Sequence, residues 1–349
     1  IAPDGKTAVS ASSDKTLKLW DLEKGLEIST LTGHNDWVRA VAIAPDGKTA
    51  VSASDDETLK LWDLEKGLEI STLTGHNDWV RAVAIAPDGK TAVSASDDET
   101  LKLWDLEKGL EISTLTGHNS TVWAVAIAPD GKTAVSASSD KTLKLWDLEK
   151  GLEISTLTGH NDWVTAVAIA PDGKTAVSAS DDKTLKLWDL EKGLEISTLT
   201  GHNDWVTAVA IAPDGKTAVS ASSDKTLKLW DLEKGKEIEE IKKNPFKYAI
   251  YIFRKRFKLL KRKEISTLTG HNSTVTAVAI APNGKTAVSA SNDNTLKLWD
   301  LEKGLEISTF IGDSSITCCA VSPDGLTIVA GEQLSRVHFL RLEGGSENE

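Results

Sequence analysis

The dipeptide Trp-Asp recurs at Trp20, Trp62, Trp104, Trp146, Trp188 and Trp230, always 42 residues apart. It returns once more at Trp299, 69 residues on, so 27 extra residues separate the last two. A fixed period of this size restricts a chain to a propeller, a solenoid or an array, because each unit must bury its apolar face against a neighbour.

The unit decides among the three. Residues 33–74 read GHNDWVRAVAIAPDGKTAVSASDDETLKLWDLEKGLEISTLT. Four segments (VRAVAIA, TAVSAS, TLKLWDL and LEISTLT) alternate apolar and polar residues, the period of a strand with one buried face. The linkers PDGK, SDDE and EKG are turn formers, and Asp-Gly in the first is a hairpin signal. Each unit is therefore expected to be four short antiparallel strands, a to d, and helical solenoids are excluded.

Gly-His near the start and Trp-Asp near the end of such a unit resembles the WD-repeat family. The resemblance covers residues 1–343 apart from the insertion. It implies an all-β fold, a β-propeller of four-stranded antiparallel blades set radially around a channel. Seven units carry Trp-Asp. An eighth, residues 315–343, keeps the strand pattern but has Leu340-Arg341 at that place. The first unit begins inside strand a and the eighth ends after strand c. Eight blades, the last three-stranded, is the preferred count; seven closed blades with a loose unit is the alternative. Units one to six then occupy residues 1–235, with the first truncated. The insertion, 236–262, falls at the c–d turn of unit six. Units seven and eight occupy 263–343, the last degenerate, and 344–349 form a flexible tail.

Six units contain a His, a Ser and an Asp that mimic a catalytic triad. They are His34, Ser52 and Asp56 with Trp62 in unit two, and His76, Ser94 and Asp98 with Trp104 in unit three. A hydrolase needs an exposed nucleophile and an oxyanion hole, and needs them once. The resemblance implies instead a structural tetrad that ties strands b and c to the entry of strand a. The eighth unit, with Asp313, Ala330 and Leu334 at the His, Ser and Asp positions, is expected to be the weakest blade.

The recurring DGKT lacks the glycine that a phosphate loop requires; before Gly47 that position is Ala42. The Asp doublets lack calcium-loop spacing. No enzyme activity, cofactor, metal or small-molecule substrate is expected. A net charge of −12 leaves no basic footprint for nucleic acid. Cys318 and Cys319 are adjacent and frame no disulfide network, and no signal peptide or long apolar span appears, which points to the cytoplasm. The chain opens in mid-unit and has no methionine, as expected of part of a longer product.

The units are nearly verbatim, so their differences carry information. Three residues after the His they read Trp37, Trp79, Thr121, Trp163, Trp205 and Thr274. Five after it they read Arg39, Arg81, Trp123, Thr165, Thr207 and Thr276. Just before the tetrad Asp they include Asp55, Asp97 and Asp181, with Ser or Asn elsewhere. These places belong to the d–a and b–c loops, which emerge on one side of an antiparallel blade. In similar propellers such positions line a partner-binding face, and Trp and Arg are enriched in binding hot spots. Trp37, Arg39, Trp79, Arg81, Trp123, Trp163, Trp205, Asp55, Asp97 and Asp181 are thus candidates for binding a protein or peptide. Near-verbatim arrays of this style also resemble C-terminal sensor regions of multidomain bacterial signalling ATPases, a regulatory alternative to a free-standing scaffold. Recent amplification and deliberate design would both leave such copies.

The insertion departs from everything else. It holds both tyrosines, three of the five phenylalanines, and ten Lys/Arg against three Glu. Asn244-Pro245 is a helix start. Phe246, Ile250, Phe253, Phe257 and Leu260 then recur at three- and four-residue steps, with Arg254, Lys258 and Arg262 on the other side. The cap and the length of the periodic stretch favour a basic amphipathic helix over 245–262, against a rival strand reading in which FKYAIYIF is β-rich and alternates loosely. Its apolar face has three candidate surfaces: the acidic body of its own propeller, an anionic membrane surface, or a partner's groove.

Overall fold

The computed structural model describes residues 1–233 and 264–343. Within them the chain forms eight antiparallel sheets, each running strand to next strand. Six sheets have four strands; the first and the last have three.

Blade 2 represents the rest. Its strands are Val38–Ile43 (a), Thr49–Ser54 (b), Leu59–Asp63 (c) and Leu68–Leu73 (d), each paired with the next. The a–b turn closes as its residues dictate: Gly47 takes a φ of 70° and its N–H donates to the Ala44 carbonyl at 2.9 Å. Asp46 Oδ1 accepts from the Lys48 N–H at 2.8 Å. Strands a of adjacent blades pack on one another around the axis. Strand d lies outermost, with Leu68 and Ile70 exposed.

No blade has a core of its own. Val51, Leu59, Leu61 and Leu73 of blade 2 bury against Val80, Ala92, Trp104 and Leu106 of blade 3. The same cluster recurs at each following pair up to blades 6 and 7, and blades 7 and 8 share a smaller one without a tryptophan. An apolar face that one sheet cannot cover is covered by its neighbour, so the ring must close to leave none open.

It closes with all eight units. A Cβ built on Gly47 would lie 3.7 Å from Pro3 Cδ of the preceding blade. The equivalent contact repeats around the ring and ends with Gly5 against Pro323, at 3.6 Å. Trp20 of blade 1 packs on Phe339 of blade 8 with ring centroids 5.3 Å apart. The eighth unit is therefore a seated blade, and the seven-blade alternative does not hold.

The blade ends are distinct. Lys48 and Glu65, 3.2 Å apart, bring the a–b and c–d turns together at one end. At the other end, here the top, the Asp55 N–H donates to the Trp37 carbonyl at 2.9 Å, joining the b–c and d–a loops. In blade 6, strands Thr226–Asp231 and Glu264–Thr269 pair, so the insertion leaves and returns at the end opposite the top. The helix expected over 245–262 and the tail 344–349 lie outside the described residues.

Trp62 is fully buried, whereas Trp20, at the seam of the two three-stranded blades, is half-buried. Trp62→Ala should destabilise by roughly 3–5 kcal/mol. Trp20→Ala should cost about half as much, because less surface is lost. Urea unfolding followed by circular dichroism reads both; equal midpoints for the two variants would contradict this account of the seam.

Candidate functional site

The six copies of His, Ser, Asp and Trp come together within each blade. His34 Nδ1 lies 2.8 Å from Asp56 Oδ2 and its Nε2 lies 2.7 Å from Ser52 Oγ. The Trp62 indole N–H donates to the same Ser52 Oγ at 2.8 Å. Blade 3 repeats this with His76, Ser94, Asp98 and Trp104. The bonds are satisfied together by a neutral imidazole. Trp N–H donates to Ser, the Ser hydroxyl donates to Nε2, and Nδ1–H donates to the carboxylate. Asp56 also accepts from the Asn35 N–H and the Thr58 hydroxyl. Burial works to raise its pKa, but these donors outweigh it and hold the carboxyl well below its usual range.

The connectivity matches a hydrolytic triad, yet the environment is the reverse. Ser52 is fully buried and its oxygen already receives the Trp62 N–H. No acyl group can approach such an oxygen. The Gly-His glycine has a physical reason too: a Cβ on Gly33 would lie 2.8 Å from Glu69 Oε2. That carboxylate belongs to a second tie, in which buried Lys60 donates to Glu69 at 2.9 Å and to Thr72 Oγ1 at 2.7 Å. Sequence reading missed this tie. The recurrence of Lys in the midst of LKLW, an apolar strand, was its only signal.

The candidate binding residues form a rail along the top. Strand a carries a bulge, so that Val38 pairs with Ser54 and Ala40 with Ala53, leaving Arg39 between them. A bulge turns its residue out of the strand's alternation. Arg39 Nε and Nη2 donate to Asp55 Oδ1 and Oδ2 at 2.7 and 2.5 Å. Its guanidinium carbon lies 4.7 Å from the ring centroid of Trp37 and 5.6 Å from that of Trp79, in the next blade. Arg81 repeats the arrangement with Asp97, 4.8 Å from both Trp79 and Trp123. Trp123 then stacks on Trp163 at 6.2 Å and donates its N–H to Ser139 Oγ at 2.6 Å. The rail runs Trp37, Arg39, Trp79, Arg81, Trp123, Trp163 across four blades.

The candidates are not equally presented. Asp55 is buried under its arginine and Trp123 is half-buried. Trp37, Trp79, Trp163 and Trp205 remain 46%, 43%, 47% and 54% exposed, so these four offer the apolar surface. Thr165 and Thr207 turn instead to the following blade, donating to the carbonyls of Val206 and Val275 at 2.9 and 2.6 Å. Asp181 therefore has no arginine. Burial, then the charges of Asp162, Asp182 and Asp204, push its pKa up to about 6.

The family of WD domain, G-beta repeat proteins matches residues 1–21, 25–63, 67–105, 109–147, 151–189, 193–231, 262–300 and 304–336. The chain belongs to this WD-repeat family. A crystal structure of the computationally designed Ika8 protein is similar over 97% of this chain and 93% of that one, with a TM-score of 0.81 and 28% identity. Autophagy-related protein 16 of Arabidopsis thaliana is 36% identical over 80 residues, 23% of this chain and 16% of that protein. Ribosome assembly protein 4 of Saccharomyces cerevisiae is 50% identical over 52 residues, 15% of this chain and 10% of that protein. The WD-repeat chain thus aligns with a sixth or less of these curated relatives' length.

Blade 8 departs from the WD-repeat pattern but is not untied. Glu332 accepts from the Asp313 N–H at 2.8 Å and the Ser314 hydroxyl at 3.3 Å. It also meets His338 Nε2 at 2.9 Å. One buried carboxylate thus joins strand b to the entry loop and to strand c, and sequence reading saw only the lost tetrad.

Asp181 gives a pH test. Its pKa in the folded state lies above the ordinary value near 4, so its ionisation opposes folding and stability falls as pH rises from about 4 to 6. Asp181→Asn should stabilise by about 1 kcal/mol at pH 7.5, after solvent screening. It should leave the melting temperature unchanged near pH 4. A variant less stable than the parent at pH 7.5 would contradict the assignment.

Proposed function

We propose that this WD-repeat propeller is a non-catalytic interaction scaffold that binds a protein or peptide on its top face. The observation that carries the reading is the rail itself. Apart from the insertion and the degenerate eighth unit, nearly every difference between otherwise copied units falls along one rim, and there four tryptophans stay half-exposed, two of them beside ordered arginines. Exposed indole surface favours association, since removing it from water contributes roughly 25 cal/mol per Å². Arginines already held by aspartates and rings lose little freedom on binding. The membership of the WD-repeat family supports the same class of function. The buried, Trp-bonded serines support the absence of hydrolase chemistry.

The test keeps the frame and removes the rail. Trp37, Trp79, Trp163 and Trp205 all changed to Thr, the residue that units four and seven carry there, should retain the circular dichroism spectrum and melting transition. Proteins that an immobilised wild-type chain retains should pass through a column of this variant. Retention unchanged by the four substitutions would overturn the reading. In parallel, a fluorophosphonate probe should label none of Ser52, Ser94, Ser136, Ser178, Ser220 and Ser289; labelling of any one would reinstate an enzyme.

A further inference from the structure

Three residues make the arginine seat in blade 2: Trp37 of the blade, Asp55 of its b–c turn, and Trp79 of the next blade. Blade 3 makes a similar seat from Trp79, Asp97 and Trp123, the last supplied by the bulged position of strand a rather than by the d–a loop. In each, a guanidinium lies against two indoles and donates twice to the carboxylate. Blade 5 carries the same three parts, Trp163, Asp181 and, from blade 6, Trp205. The frame that sets them is the same: the Asp181 N–H donates to the Trp163 carbonyl at 2.9 Å, as Asp55 does to Trp37. The fourth part differs. Thr165 stands where arginine would, and its hydroxyl is committed to the Val206 carbonyl. No other four-stranded blade combines the acid and both tryptophans without an arginine. Blade 4 has Ser139, blade 6 has Ser223 and Thr274, and blade 7 has Asn292.

We propose that the notch between Trp163 and Trp205, floored by Asp181, binds the arginine side chain of a partner peptide, in the pose that Arg39 and Arg81 adopt within this chain. The chemistry selects arginine over lysine. A planar guanidinium gives two parallel hydrogen bonds to one carboxylate while its faces lie on the indoles, and an ammonium supplies neither the plane nor the fork. Charge favours the same occupant. Asp162 and Asp204 add to the negative field at Asp181, no donor among the described residues reaches its carboxylate, and a bound cation would relieve both. Trp163 and Trp205 are about half exposed, so the notch opens to solvent.

The inference rests on the top-face reading and names the partner's contact there. The probe is acetyl-Gly-Arg-Gly-amide, with citrulline and lysine peptides for comparison, titrated at low salt to about 20 mM and read by indole N–H resonances. The arginine peptide should shift the Trp163 and Trp205 resonances saturably. The citrulline peptide, which keeps the shape and loses the charge, should bind at least about tenfold more weakly. Asp181→Asn should abolish the shifts. Thr165→Arg, which supplies the missing rung from within, should abolish them as well and raise the melting temperature. Arginine binding that survives either substitution, equal binding of citrulline, or no shift at all would overturn the proposal. The two readings fail separately. A partner kept by Thr165→Arg but lost with the four tryptophans would overturn the arginine notch and leave the top face standing.

Discussion

Each of blades 2 to 7 depends on a tryptophan it cannot bury alone. Trp104 is enclosed by Leu61 and Leu73 of the blade before it, while its N–H is held by Ser94 of its own. The apolar part of the side chain joins two blades and the polar part joins three segments of one. Both demands must be met together, because a buried indole N–H without an acceptor would forfeit much of what burial contributes. The chain of donors from Trp through Ser and His to Asp then fixes the d–a loop over the b–c turn. The top face is rigid for that reason: its loops are held from beneath by the frame they decorate.

Much of this was legible in advance because it repeats. Alternation, turn residues and a constant 42-residue period leave few arrangements of strands, and four residues kept in six units mark a common bond. What did not repeat was harder to read. Eight closed blades rest on the seating of Pro323 and Phe339 against blade 1, a contact between chain ends that no local pattern announces. Glu332 replaces a tetrad with one carboxylate, and a substitution that keeps a role while changing every residue leaves no motif. Arg39 and Asp55 both stand among the candidate binding residues, though they bind one another. Their joint appearance in units two and three was the available sign, since arginine appears only where the acid does.

Near-identity of the units makes the exceptions informative. A repeated frame supplies seven further settings in which to judge any one position, and here it separates architecture from use. Tetrad, Lys60 tie and Gly–Pro seams recur, so they carry the ring. The bulged residue of strand a varies among Arg, Trp and Thr without disturbing the ladder on either side of it. A bulge frees that side chain from the sheet's alternation, so the position tolerates large, charged or small residues. The rail is thus an added layer, able to change while the frame beneath it does not. It is self-complementary in blades 2 and 3 and short of a cation in blade 5.

The account's central claim is that association takes place at the top and leaves the frame untouched. Hydrogen exchange of the chain with and without a bound partner tests it directly. Protection should rise in the d–a loops around residues 35–39, 77–81, 161–165 and 203–207, and the a–b and c–d turns at the opposite end should exchange as in the free protein. Protection concentrated at those opposite turns, with the tryptophan loops unchanged, would contradict the account.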